Sequence, residues 1–261
     1  MWRRAMKANA GRVQRLILGL ATMIFCSFGV MIAQAAEDTK VSPGKGKTEY
    51  ILAVSWQPGF CETRPSRKEC ASQTTDRFDA THFSLHGLWP VKKSYCGVSA
   101  DIKARAQKGN WLDLPQLAVA QETADRLMVA MPGTQSGLDR HQWLRSGTCQ
   151  SGTAQDYFSM QLSFLDRLNA SSVRTLFAGR LGKTVTETEI KQAFDEGFGK
   201  GAGDRVRMRC EKDGDRSVIT GLTIGLSGTL AGGSDLAALI QAAAPTDFKC
   251  ASGVVDVAGI Q

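Results

Sequence analysis

The sequence predicts an α+β domain: a central antiparallel β-sheet with helices packed against it. Segments with strand and helix patterns follow one another without a βαβ rhythm, which argues against a parallel sheet. No internal repeat and no low-complexity linker interrupts the chain, so one folded domain is expected. At 43% hydrophobic residues in 261, there is enough apolar material for a sizeable core and too much for a disordered chain.

Residues 1–36 read as a signal peptide. Arg3, Arg4, Lys7, Arg12 and Arg15 precede an apolar run over 16–32, and Ala33-Gln34-Ala35 is a small-x-small exit. An uncleaved anchor is the alternative; the small-residue exit favours cleavage, and no membrane attachment is expected after it. Export to the periplasm or the medium follows. Residues 37–48 are polar with Gly and Pro and read as a flexible tail, leaving 49–261 as the domain. The formal charge is +7. Five basic residues precede the first acid, Glu37, so only +2 belongs to the rest, and bulk charge is no argument for nucleic-acid binding. Cys26 leaves with the apolar run. Cys61, Cys70, Cys96, Cys149, Cys210 and Cys250 remain, an even number that on an exported chain implies disulfides of open connectivity. With no Cys-x-x-Cys pair, a zinc site is a poor reading. Histidine chemistry is confined to His82, His86 and His141.

Residues 50–56 are apolar and β-branched, a buried strand that Pro58-Gly59 should end. A polar loop with Cys61 and Cys70 follows. Residues 81–86 alternate, with Phe83 and Leu85 on one face and His82, Ser84 and His86 on the other; Gly87 and Pro90 should stop this strand. Residues 91–114 read as an irregular loop tied down by Cys96. Leu117, Val119, Ala120, Ala124, Leu127, Met128 and Met131 recur at helical spacing, predicting a helix over 115–131 with Pro115 in its first turn. Residues 138–146 read as a helix capped by Gly147, and 157–168 as an amphipathic helix. Thr186-x-x-Glu189 is a capping box opening a helix to about residue 198. Residues 206–210 and 217–226 read as strands, and 235–244 as a short helix or a loop.

Two segments carry chemistry. In Phe83-Ser-Leu-His-Gly-Leu-Trp-Pro90 a histidine ends a strand beside a glycine that admits close approach. In His141-Gln-Trp-Leu-Arg-Ser-Gly-Thr-Cys149, His141 and Arg145 share a helix face, with Gln142 and Ser146 in the neighbouring row. Arginine offers a rigid fork of donors to phosphate, and histidine exchanges a proton near neutrality. A lone strand histidine is more often structural, a His/Arg pair more often surface charge, and Trp89 and Trp143 more often packing.

The segment His86-Gly-Leu-Trp-Pro90 resembles the first signature of the ribonuclease T2 family. His141, Trp143, Gly147, Thr148 and Cys149 resemble the second, typically His-Glu-Trp-x-Lys-His-Gly-Thr-Cys. Leu52-Ala-Val-Ser-Trp-Gln-Pro-Gly-Phe-Cys61, Val129-Ala-Met-Pro-Gly133 and Leu181-Gly-Lys-Thr-Val185 look like its bacterial periplasmic, ribonuclease I-type branch, and the likeness covers roughly 48–257. It implies an endoribonuclease of low base preference, without metal or other cofactor, acting on single-stranded RNA. The 2′-hydroxyl attacks phosphorus, the 5′-oxygen leaves and a 2′,3′-cyclic phosphate forms. By the same resemblance His86 is the general acid, His141 binds phosphate, Arg145 stands for a lysine that stabilises the transition state, and Trp89 helps form a base-stacking pocket. Trp143 joins it as a substrate-binding candidate. The implied disulfides pair Cys61 with Cys70, Cys96 with Cys149, and Cys210 with Cys250. A monomer is expected.

Two departures bear on catalysis. Ser146 stands where the family has its general-base histidine, and Gln142 where it has glutamate. Losing a general base typically costs ~10²–10⁴-fold. Three readings follow: a ribonuclease in which His86 and His141 share the proton transfers, an RNA-binding protein of the same fold that has lost turnover, or a hydrolase with Ser146 as nucleophile. The last lacks a glycine elbow and a nearby acid.

Overall fold

The computed structural model describes residues 46–150 and 152–260. The signal peptide and most of the expected tail lie outside the described residues. Gly46 and Thr48 are half-buried, with Gly46 against the carbonyl of Ala242 and Thr48 against Gly225, so the expected tail is packed at its end.

Strand β1 (Tyr50–Ser55) leads directly into helix α1 (Gln57–Glu62). Pro58 does not break the chain here; it occupies the first helical turn, where its missing N–H costs nothing. The polar loop that follows contains a further turn of helix, α2 (Lys68–Ala71). Strand β2 (Ser84–Pro90) is displaced from the alternating segment: it starts later and runs through Gly87 to Pro90. Thr81 and His82 precede it, and His82 stacks on Phe78 at 4.4 Å while its Nδ1 lies 3.1 Å from the Phe78 carbonyl oxygen.

Residues 91–114 are more ordered than expected. Ser99 caps helix α3 (Ala100–Lys108), which ends on left-handed Gly109, and a 3₁₀ turn (Trp111–Asp113) follows. The polar face of α3 hid its period, because only Ala106 is buried. The helix expected from Pro115 begins later, as α4 (Gln121–Ala130). Leu117 and Val119 reach the core from an extended segment, and Met128 stays exposed. Helix α5 (Leu138–Arg145) is capped by Ser146, and Gly147 opens a 3₁₀ turn instead of ending the helix.

Helix α6 (Ala154–Asn169) is followed by α7 (Ser172–Ala178), strand β3 (Thr184–Thr186) and α8 (Glu187–Phe198), whose Thr186/Glu189 capping box is formed in both directions. Strands β4 (Val206–Asp213) and β5 (Arg216–Leu226) form a hairpin across Gly214-Asp215. Helix α9 (Leu236–Ala242) and strand β6 (Ser252–Val254) complete the described elements.

The strands form one sheet in the order β2-β1-β5-β6-β3, with β4 on the other edge of β5. All pairings are antiparallel except β5 with β6, which meet in parallel at Val218 and Val254. Leu52 lies opposite both Leu88 and Ile224, and all three are fully buried in one cluster with Phe158, Leu162 and Phe194. Trp56, Phe83 and Phe177 close that core with ring centroids 4.7–5.4 Å apart. Three disulfides join Cys61 to Cys70, Cys96 to Cys149, and Cys210 to Cys250.

Candidate active site

The site begins with an irregularity in β2. Ala53 pairs with Gly87 and Val54 with Leu85, so His86 is the extra residue of a β-bulge. A bulge re-aims one side chain out of the alternation. Here the half-buried imidazole of His86 lines a cavity of about 220 Å³ with Trp89, Trp111, Gln57 and Arg209. The Trp89 ring stands edge-on to His86, with centroids 5.5 Å apart.

Helix α5 meets this strand through Gln142. Its Oε1 accepts a hydrogen bond from Trp89 Nε1 at 2.9 Å, and Gln142 is 3% exposed. The Gln142 side chain lies so close to the β2 backbone that a Cβ on Gly87 would be 2.4 Å from that oxygen. Gly147 is held to glycine by the same logic, since a Cβ there would lie 2.2 Å from the Trp143 ring.

His141 lies one turn before Arg145 on α5 and is buried. Its ring stacks on Trp111 at 4.3 Å and 18°, and the edge of Tyr95 is 6.4 Å away. Its Nδ1 and the Tyr95 hydroxyl are both buried without a hydrogen-bond partner among the described residues. The chain holding Tyr95 is tied to the end of α5 by the Cys96–Cys149 disulfide and by the Tyr95 N–H, which donates to the Arg145 carbonyl at 2.8 Å.

Burial and cations act on both imidazoles. Burial is the main cause that pushes His86 down to about 4, with Arg209, His141 and Arg64 adding to it. Burial, then Arg145, lowers His141 to about 4. Both rings are therefore neutral at pH 7, and each feels the positive charge of its neighbours. A neutral imidazole can accept a proton, and a nearby phosphate would favour its charged form. Among the described residues, no group of three or more His, Cys, Asp and Glu side chains could hold a metal ion.

The family model for the ribonuclease T2 family matches residues 48–232. The chain belongs to the ribonuclease T2 family. Ribonuclease I of Escherichia coli K12 is 28% identical over 200 residues, covering 68% of this chain and 74% of that protein. Intracellular ribonuclease LX of Solanum lycopersicum is 29% identical over 159 residues, covering 58% and 62%. Among solved structures, RNase NT in complex with 5′-AMP aligns at TM-score 0.45 and 21% identity, over 68% of this chain and 84% of that one. Human RNase T2 aligns at 0.44 and 18%, over 69% and 85%.

The residues expected from the two T2 signatures do not all converge. His86 and Trp89 line the cavity, and His141 stands behind Trp111, which also lines it. Arg145 is exposed and bears on His141 through its charge. Trp143, expected to hold substrate, instead packs against Tyr157 at 5.8 Å and against Gly147, away from the cavity walls. Ser146 is 2% exposed and is not part of the cavity wall. Gln142, counted with the catalytic set, bonds Trp89 and acts on its orientation. Trp111, Tyr95, Arg64 and Arg209 went unrecognised in the sequence. All lie outside the signatures, and no local spacing connects them to a site.

Proposed function

We propose that this T2-type ribonuclease cleaves single-stranded RNA, with little base preference, by attack of the 2′-hydroxyl on the adjacent phosphorus, yielding a 2′,3′-cyclic phosphate. The supporting observation is that His86 and His141 are both neutral at pH 7 and that His141 lies close enough to lower the proton affinity of His86, with Arg145 acting on His141. Two proton transfers need two exchangeable groups, and Ser146 has no acidity near neutrality. In this reading His141 takes the proton of the 2′-hydroxyl. His86, protonated once phosphate is bound, gives its proton to the departing 5′-oxygen. Arg145 offsets the charge growing on phosphorus, and Trp89, held by Gln142, offers a ring face to a base. The reading of Ser146 as a nucleophile has no support. Among the described residues no hydrogen bond joins its hydroxyl to a histidine, and it is buried. The working protein is the exported domain from about residue 37, freed of its signal peptide.

The test is cleavage of a short single-stranded RNA in EDTA between pH 4 and 9, with His86→Ala, His141→Ala and Ser146→His alongside. Cleavage that both histidine variants abolish is expected, with cyclic phosphate ends on the products. Robust cleavage by His141→Ala would sink its role as base. A silent natural chain that Ser146→His awakens would favour the second reading, RNA binding without turnover, to which the burial of Ser146 lends weight.

A further inference from the structure

The cavity wall beyond His86 carries cations that neither signature supplies. Arg64, Arg67 and Arg209 line it together with Glu69 and Glu211, whereas Arg145 does not. The carboxylates are already engaged. Glu211 pairs with Arg64 at 2.7 Å, and Glu69, 5% exposed, accepts the Ser136 hydroxyl at 2.5 Å. Arg64 is further fixed over the Phe60 ring, 4.8 Å from its centroid. Arg209 is different: it is exposed, and among the described residues no carboxylate lies within ion-pair distance of it, although, after the Arg64 hydrogen bond, its charge helps hold Glu211 below the usual carboxylate range. It sits at the second bulge of the sheet, where β4 slips between Arg209 and Cys210. Thr220, whose hydroxyl donates to the Arg209 carbonyl at 3.3 Å, is the residue passed over on β5 and shares the cavity wall. The residues at this second bulge, Arg209 and Thr220, thus line the same cavity as the histidine placed there by the first.

A guanidinium without an ion-pair partner, at the wall of a partly apolar cavity, suits an anion with planar or forked acceptors. In an RNA strand the repeating anion is the phosphodiester. We propose that Arg209, with Arg64 beside it, holds the RNA phosphate one nucleotide to the 3′ side of the bond that is cut. This rests on the reading of His86 as the group serving the leaving 5′-oxygen, because the nucleotide beyond His86 is then the leaving one. The lowered proton affinity of His86 agrees, since Arg209 and Arg64 both contribute to it. A phosphate bound at Arg209 would neutralise part of that charge and help His86 hold its proton.

The experiment is equilibrium binding of unreactive 2′-deoxy dinucleotides to the full mature protein: dTpdT, the same with a 3′-phosphate, and the same with a 5′-phosphate. The 3′-phosphate should tighten binding about tenfold, the usual scale of a charged hydrogen-bonded contact. In Arg209→Ala that gain should fall below about twofold. In Arg126→Ala, which removes an equal charge from the distant Arg126–Asp166 surface pair, it should persist. The proposal is overturned if the wild-type gain is absent, if Arg209→Ala keeps it, or if the 5′-phosphate is the one that depends on Arg209. Binding as expected in a chain that cuts no RNA would leave the subsite standing and remove only the cleavage reading.

Discussion

Gln142 stands where the T2 signature has glutamate, and its neighbours explain what an amide does there. The Trp89 indole N–H donates to its oxygen, and Gly87 leaves room for the contact. Replacing Gln142 by Leu should free the indole while preserving volume, costing about 0.5–1.5 kcal/mol of stability, the usual net worth of one hydrogen bond. If Trp89 offers its ring to a base, as proposed, this should raise KM for RNA several-fold with a smaller change in kcat. A fall in kcat alone would contradict this. For the proposed proton carriers the expectation differs: His86→Ala should lower kcat by ~10²–10⁴-fold, read from initial rates on a defined oligonucleotide. With His86 near 4, about one molecule in a thousand carries that proton at pH 7 before substrate binds. The kcat/KM profile should therefore rise as pH falls from 7 toward 5. A maximum above pH 7 would exclude His86 as the acid.

At the scale of elements, two clamps hold the site together. Asn169, at the end of α6, receives the Phe83 N–H and donates to the Phe83 carbonyl, both at 2.9 Å, just before β2 begins. This fixes where the strand starts, and hence which residue becomes the bulge. Asn169→Ala should leave two buried backbone groups unpaired and destabilise the fold by about 2–4 kcal/mol, measurable as a lower urea midpoint. The Cys96–Cys149 disulfide is the second clamp, joining the segment of Tyr95 and Trp111 to the end of α5. Replacing both cysteines by Ser should cost about 2–4 kcal/mol. Activity should fall at temperatures where the variant remains folded, because Trp111 stacks on His141 from that segment. Undiminished activity there would reduce the disulfide to a stability role. The strand shift in β2 also shows why alternation misled: Phe83 and Leu85 obey it, but the bulge at His86 breaks the period that local pattern assumes.

For the whole molecule, burial of two histidines links folding to pH. Both are lowered from an unfolded value near 6.5 to about 4, so the unfolded chain binds more protons between those limits. Their contribution to stability is fully present above pH 6.5 and is lost as pH falls toward 4, on the order of 3 kcal/mol for each at ~1.4 kcal/mol per pH unit. The urea midpoint should fall between pH 7 and pH 4, and by less in His86→Ala; an equal fall in the two proteins would show that His86 is not buried as a neutral group. Much of this architecture was legible in the sequence because it is local or covalently patterned. The Thr186/Glu189 capping box, the apolar strand of residues 50–55 and the T2 signatures are read from neighbouring residues, and the signatures also carried the disulfide pairing. Helix α3 escaped because its exposed face has no apolar period, and Leu117 and Val119 imitated a helix from an extended segment. The sequence by itself determined the fold class and the family and singled out two candidate histidines, since hydrophobic period and motif spacing are properties of the chain. Only the tertiary structure decided that Trp111 backs His141, that Trp143 belongs to packing, and that Arg209 joins His86. Arg209 and His86 are 123 positions apart and meet through the register of the sheet, while the aromatic contacts depend on how a 3₁₀ turn and two helices pack, and neither segment carries a mark of its partner.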